Sequence, residues 1–195
     1  AALTQIARVE NLVRLAAAQA ATRTLGLTVR LEVRGPDTAG DARPLRDRGV
    51  VRPGDDLRID VRNAGARTLD VWVFLLDAGY GVSVLAPGPV ATPRLRPGAA
   101  FAPVEAFVTD TTLGVERVLA IAVPADEAAP PVDLRWLAAP PLEAARARAR
   151  APGGGGALAD LLMTYAFPDA TGARGPGSAD ARPAELTSVA WTTAW

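Results

Sequence analysis

The hydrophobic pattern divides the chain into a helical first segment and a series of strands. Residues 2–24 contain neither proline nor glycine, and their apolar side chains recur at helical spacing. The stripe consists of Ile6, Val9, Val13, Ala17 and Ala20. Gly26 is a residue type that often ends a helix. We therefore predict one long helix within residues 1–26, packed on its own domain, with binding of a partner protein as the alternative.

From Leu27 onwards the period changes to two. Apolar residues alternate with polar or charged residues over 27–34, and again over 56–62 after the turn at Pro53 and Gly54. This alternation predicts strands with one solvated face. The next segment, 69–76, is apolar on both sides around Trp72 and Phe74. We expect the N-terminal helix or the C-terminal segment to cover its outer face.

Further short strands are predicted at 81–85, 104–109, 115–123 and 186–195. In the last one, Val189, Trp191 and Trp195 share one face, which is typical of core anchors. Short strands joined by Gly/Pro turns, without helices between them, favour an antiparallel sandwich over a parallel sheet. The predicted fold class is mainly β, an antiparallel immunoglobulin-like β-sandwich with a long N-terminal and a short C-terminal helix.

Composition suggests four regions along the chain. The sandwich is expected in residues 27–138, and the Pro-, Ala-, Arg- and Gly-rich stretch 139–156 is expected to be a flexible linker or loop. Residues 157–195 should add a helix and a strand that pack on the sandwich. The linker carries Arg146, Arg148 and Arg150, which are candidates for cleavage by an arginine-specific protease, the alternative being a solvated loop.

The residue types that carry most enzymatic chemistry are missing. The 195 residues include no histidine, cysteine or lysine. The common nucleophile–base pairs, Schiff-base chemistry, the lysine contact of phosphate-binding loops and thiolate zinc sites are therefore excluded. We expect no cofactor, no metal site and no catalytic residue, and we predict that the chain is not an enzyme by itself.

Carboxylates are the remaining acid/base groups. Asp55, Asp56, Asp60, Asp70 and Asp77 form the densest group, and paired carboxylates can hydrolyse glycosides. Turn positions and a solvated strand face explain these residues more simply. The Asp77 turn supplies a single carboxylate, too few for a calcium loop. A carboxylate-dependent hydrolase is the least favoured of our hypotheses.

Charge and hydropathy argue against nucleic acid and a membrane as binding partners. Basic and acidic residues number 21 each, so the chain has no sustained positive field for nucleic acid. No apolar run reaches the length of a membrane span.

A cytoplasmic location is favoured, with a periplasmic or secreted one left open. The chain begins at Ala1 rather than methionine, which suggests a processed product or a piece of a longer protein.

Four ordered motifs resemble a known bacterial family. They are the segments 53–57 with Asn63, 71–77 running through a glycine turn to 84–87, 95–98, and 113–116 leading to 119–122. Their order and spacing resemble the DUF4384 domain, often found after a caspase-like (metacaspase, peptidase family C14) domain. The family's usual turn and phenylalanine are replaced here by Tyr80 and Ala86.

The resemblance implies a non-catalytic accessory or regulatory domain that positions a caspase-like protease or recruits a partner. The protease domain would lie in the same polypeptide or complex, and the N-terminal helix would connect to it. The alternative is an independent ligand- or carbohydrate-binding module, which should expose a row of aromatics drawn from Trp72, Tyr80, Phe101 and Phe107. In either case, the candidate binding residues are Trp72, Asp77 and Tyr80.

Overall fold

Two β-sheets and one α-helix make up the described part of the chain. The structure is a computed structural model that describes residues 2–20, 24–36, 42–109, 113–142 and 184–194. Its helix is α1 (Ala2–Gln19). Its strands are β1 (Leu27–Arg34), β2 (Arg43–Pro44), β3 (Gly49–Val51), β4 (Asp56–Asn63), β5 (Leu69–Leu76), β6 (Val82–Ala86), β7 (Arg94–Leu95), β8 (Val104–Phe107), β9 (Gly114–Pro124) and β10 (Glu185–Thr193).

The strands pair into two separate sheets. The first has the order β2-β1-β4-β8, and the second has the order β3-β10-β9-β5-β6, with β7 also beside β5. The described pairs are antiparallel except for β3 with β10, which is parallel. The predicted antiparallel pairing therefore holds for the described strands except at this edge. The short strands β2, β3 and β7 were not predicted, because two or three residues carry too little alternation to be recognised.

The main core lies between the two sheets. Alternation along β1 and β4 turns one set of apolar side chains inward, including Leu31, Val33 and Ile59. They meet the inward residues of the second sheet, among them Val71 and Val118. The charged residues of β4 between them point to solvent, as the sequence predicted. The fold is mainly β and sandwich-like.

A second core lies on the outer face of the second sheet. Trp72, Phe74 and Ile121 contribute to it from the sheet, and Val9 and Ala16 contribute from α1. Of the two predicted covers for the outer face of β5, the N-terminal helix and the C-terminal segment, the helix packs in this cluster. A further layer comes from residues 129–142, called the strap below. Its short 3₁₀ turn (Arg135–Leu137) buries Leu137 in the same cluster.

The helix is shorter than the sequence predicted. It ends at Gln19, and the backbone N–H groups of Thr24 and Leu25 donate instead to the Glu185 carboxylate, at 2.9 and 2.7 Å. Gly26 is not a helix cap. It has φ 76°, and a Cβ there would lie 2.7 Å from the Cα of Gly65, so the crossing of two loops requires this glycine.

The chain's last described segment is part of the second sheet. β10 pairs with β9 over its whole length and with β3 on its other side. The sheet therefore extends beyond residues 27–138, and Val189 and Trp191 belong to the inner core as predicted. Trp195, the predicted helix in 157–195, the linker residues 143–156 and the candidate processing residues Arg146, Arg148 and Arg150 lie outside the described residues.

Candidate binding cleft

A cleft of about 370 Å³ lies between α1, the β5–β6 turn and the start of β9. Its lining is about evenly divided between apolar and polar surface, and Leu113 and Val115 at its rim are 44% and 52% exposed. Gly114, between them, has φ 140°, and a Cβ there would lie 2.9 Å from the Ala78 Cβ. The glycine lets β9 begin close to the turn. The main apolar and aromatic lining residues are Val9, Val13, Leu76, Tyr80, Leu113 and Val115.

The turn that forms one wall is built around Asp77. Its Oδ1 accepts hydrogen bonds from the N–H groups of Gly79 and Gly81, at 2.8 and 2.7 Å. Its carbonyl oxygen accepts a third from Tyr80 N–H at 3.0 Å. Tyr80 takes a left-handed conformation with φ 61°. Aspartate favours such turns because its carboxylate bonds to the following backbone. Asp77 thus shapes the cleft wall.

Two side chains of α1 tie the helix to the turn and the strap. Gln5 Nε2 donates to the carbonyl oxygens of Tyr80 and Pro140, at 2.8 and 2.7 Å. Arg8 Nη2 donates to the carbonyl of Trp136 at 2.9 Å, and its guanidinium lies 5.6 Å from the centre of that indole ring. Burial lowers the pKa of Arg8. Helix, turn and strap are therefore joined into one unit.

The strap is fastened to the sheet through Trp72 and Asp70. Trp72 Nε1 donates to the carbonyl of Val132 at 2.8 Å. Asp70, only 2% exposed, accepts from Val132 N–H at 3.1 Å and from Arg94 Nε at 3.0 Å. The hydrogen bond to Asp70 raises the pKa of Arg94 against the opposing effect of desolvation. These bonds satisfy polar groups that would be costly to bury alone.

The structure brings together two of the three predicted binding residues. Asp77 and Tyr80 both line the cleft, whereas Trp72 lies beneath the strap and is 1% exposed. Phe101 packs partly buried against the core between the sheets. Phe107 is 64% exposed on the first sheet. The four aromatics therefore do not line up on one sheet.

The carboxylates that cluster in the sequence separate in space. Asp55 accepts the N–H of Arg52 at 2.9 Å, Asp60 pairs with Arg58 at 3.2 Å, and Asp70 is held under the strap. Within the described ranges, no three His, Cys, Asp or Glu side chains converge as metal ligands. Asp55 and Asp77 lie in turns, and Asp56 and Asp60 lie on the solvent face of β4, as the solvation and turn interpretation predicted. Asp70 differs, because it is buried in an ion pair with Arg94.

Several residues of the cleft were not predicted from the sequence as binding residues. Glu10 and Arg117 supply charge at the cleft, while Leu113 and Val115 supply its exposed apolar rim. Periodicity gave no signal for them, since it does not tell which end of a sheet a helix will reach. Gln5, which anchors the helix, resembles any polar residue of an amphipathic helix.

The cleft combines apolar surface with two acidic groups, Glu10 and Asp77, one basic group, Arg117, and the phenol of Tyr80. Among its described lining residues there is no serine or threonine beside a base. Such a surface can receive apolar side chains and fix their orientation through Glu10 and Arg117.

Comparisons with protein-family models, with curated proteins and with solved structures find no match for this chain. No helix within the described residues is both long and apolar enough to cross a membrane.

Proposed function

We propose that this chain is a non-catalytic accessory domain that binds a partner protein through the cleft between α1 and the Asp77 turn. The observation that carries the proposal is the cleft itself, with its exposed rim residues Leu113 and Val115. Exposed apolar residues beside a concave surface are typical of sites of protein contact. The lack of histidine, cysteine and lysine supports a binding role over a catalytic one.

The partner class that we propose is a bacterial caspase-like protease, which the domain would position or regulate. The motif resemblance in 27–138 motivates this choice. Support also comes from α1, because Gln5 and Arg8 hold the helix against the turn and strap. Because these bonds fix the position of α1 on the domain, a protease domain that contacts α1 would be held in one orientation. We also propose that the two sheets form an immunoglobulin-like sandwich, in which the parallel β3–β10 pair is a departure.

A matched pair of substitutions tests the cleft. Val115→Glu places a charge on the rim, and Val90→Glu makes the same change at a residue outside the cleft that is fully exposed. Binding to the caspase-like domain encoded in the same or an adjacent reading frame is measured by biolayer interferometry. We expect Val115→Glu to weaken binding about tenfold or more and Val90→Glu to change it less than about twofold.

Two results would overturn the proposal. Equal affinities for the two variants, with melting temperatures unchanged, would remove the cleft from the interface. A genome with no caspase-like domain in the same reading frame or beside it would remove the protease as partner.

The carbohydrate-binding alternative has less support. Its aromatic row would need Trp72 and Phe107 on one surface, and these residues lie on different sheets, with Trp72 buried. Besides Phe107, Trp136 in the strap, 49% exposed, is the other strongly exposed aromatic in the described residues.

A further inference from the structure

The outer edge of the first sheet has unpaired backbone groups. β8 pairs with β4 on one side, with Leu57 opposite Ala106 and Arg58 opposite Glu105. Val108 exchanges hydrogen bonds with the Gly54–Asp55 backbone, at 2.9 Å each, so its N–H and C=O point towards β4. Because these directions alternate along a strand, the N–H and C=O groups of Glu105 and Phe107 point away from β4. Neither residue makes a backbone hydrogen bond on that outer side within the described chain.

The side chains of β8 make this edge suitable for docking. Phe107 is 64% exposed, and Glu105 beside it also faces solvent. The alternate residues of the strand, Val104 before Glu105 and Ala106 between Glu105 and Phe107, pack against the core. An exposed aromatic on an open edge strand is unusual, because natural proteins protect such edges with charge, proline or cover.

Two other places where a strand has a free side are protected. β2, at the opposite side of the same sheet, contains Pro44 and is two residues long. The free side of β10 is capped by side chains, since Gln19 Oε1 accepts Leu186 N–H and Asp47 Oδ1 accepts Ala190 N–H, both at 2.9 Å. The open edge of β8 therefore stands out against protected ones.

A shallow groove of about 310 Å³ runs along the solvent face beside β8. Glu32, Asp56 and Glu105 contribute three carboxylates to it, Arg34 and Arg58 contribute two guanidinium groups, and Phe107 contributes an aromatic wall. Arg58 lies between Glu32 and Glu105 in register, but its hydrogen bond goes to Asp60 at 3.2 Å. Glu105 makes no ion pair within 4.0 Å in the described residues. Among the described residues, Arg58 is the arginine opposite it, and its hydrogen bond to Asp60 leaves the Glu105 carboxylate available to a partner's cation.

We propose that β8 is a docking edge for an extended segment of a partner protein, which adds as a fifth, antiparallel strand. The outward groups of Glu105 and Phe107 supply two donors and two acceptors, which is how strand addition gains affinity. Charge complementarity selects a lysine or arginine opposite Glu105. Phe107 selects an apolar or β-branched residue, two positions before the basic one. This edge belongs to the sheet opposite α1, so the inference is independent of the proposed cleft.

The probe is a fluorescently labelled peptide, Ac-Thr-Val-Thr-Arg-Thr-Val-NH2, whose first valine and arginine would lie opposite Phe107 and Glu105. Binding is followed by fluorescence polarisation. Replacing the peptide's arginine by glutamate should weaken binding about tenfold. Methylating the backbone nitrogens of that valine and arginine should abolish it, since strand addition needs these donors. Glu105→Arg should reverse the preference between the two peptides, and Glu127→Arg, the same change at another exposed glutamate, should not.

Three outcomes would overturn the inference. These are no binding of the parent peptide up to about 1 mM, equal binding of the methylated peptide, and equal effects of Glu105→Arg and Glu127→Arg. Sedimentation of the free chain supplies a fourth. A dimer that Phe107→Lys dissolves would assign the edge to a second copy of this chain instead of a peptide.

Discussion

Gly81 should be intolerant of even one methyl group, although it lies in a turn. A Cβ at this position would collide with the Asp77 carboxylate and would lie 2.9 Å from Asp77 Cγ and 3.0 Å from Pro141 Cγ. Asp77 cannot swing away freely, because its Oδ1 holds the N–H groups of Gly79 and Gly81. Gly81→Ala must therefore break these bonds or push away the strap.

The expected cost follows from those bonds. A hydrogen bond to a charged group contributes about 1.5–3 kcal/mol, so partial loss of two costs about 3 kcal/mol. For a chain of this size each kcal/mol lowers the melting temperature by about 2–4 °C, which gives a decrease of about 6–12 °C. Gly88→Ala is the matched control, since a Cβ there meets nothing within 4 Å. Its cost should stay within about 0.5 kcal/mol.

Urea denaturation of the two variants, followed by circular dichroism, measures both costs, and a double mutant identifies the cause. In an Asp77→Ala background the carboxylate is gone, so Gly81→Ala should cost about 1 kcal/mol, the remainder coming from Pro141. The reasoning would be refuted if Gly81→Ala were as mild as Gly88→Ala. It would also fail if the cost of Gly81→Ala were the same with and without the Asp77 side chain.

Three further predictions concern the strap and the helix. Asp70→Asn should lower the melting temperature more than Asp60→Asn, because the Asp70 side chain is 2% exposed and that of Asp60 is 38% exposed; equal shifts would contradict this. The pKa of Arg94 is raised, so the arginine charge supports the fold at every pH below its ordinary pKa, and the Asp70–Asp60 difference should persist from neutral to mildly alkaline pH. Trp136→Phe should remove an acrylamide-quenchable part of the fluorescence, since Trp136 is 49% exposed while Trp72 and Trp191 are nearly fully buried. Gln5→Ala should speed amide hydrogen exchange in α1 and leave β9 protected, because its two bonds hold only the helix, turn and strap.

The strands that alternation predicted are those that bury one face against the core and expose the other to solvent. β1 and β4 lie where the period of two placed them, because facing a core on one side imposes that period directly on the residues. The double-sided burial of β5 also predicted a covering layer, which α1 supplies. In the same way, the absence of histidine, cysteine and lysine restricts the chemistry of any site without reference to the fold.

The cleft, the strap and the open edge depend on contacts between residues far apart in the chain. Gln5 meets Pro140 and Arg8 meets Trp136, and no local pattern encodes such partners. β10 lies inside the second sheet, between β9 and the parallel strand β3. This placement depends on pairing between segments that are far apart in the sequence. Local residue preferences therefore determined which segments are strands and which chemistry is missing. The tertiary structure alone decided that Asp77 and Tyr80 line a cleft, that Trp72 is covered, and that β8 has no strand on its outer side among the described residues.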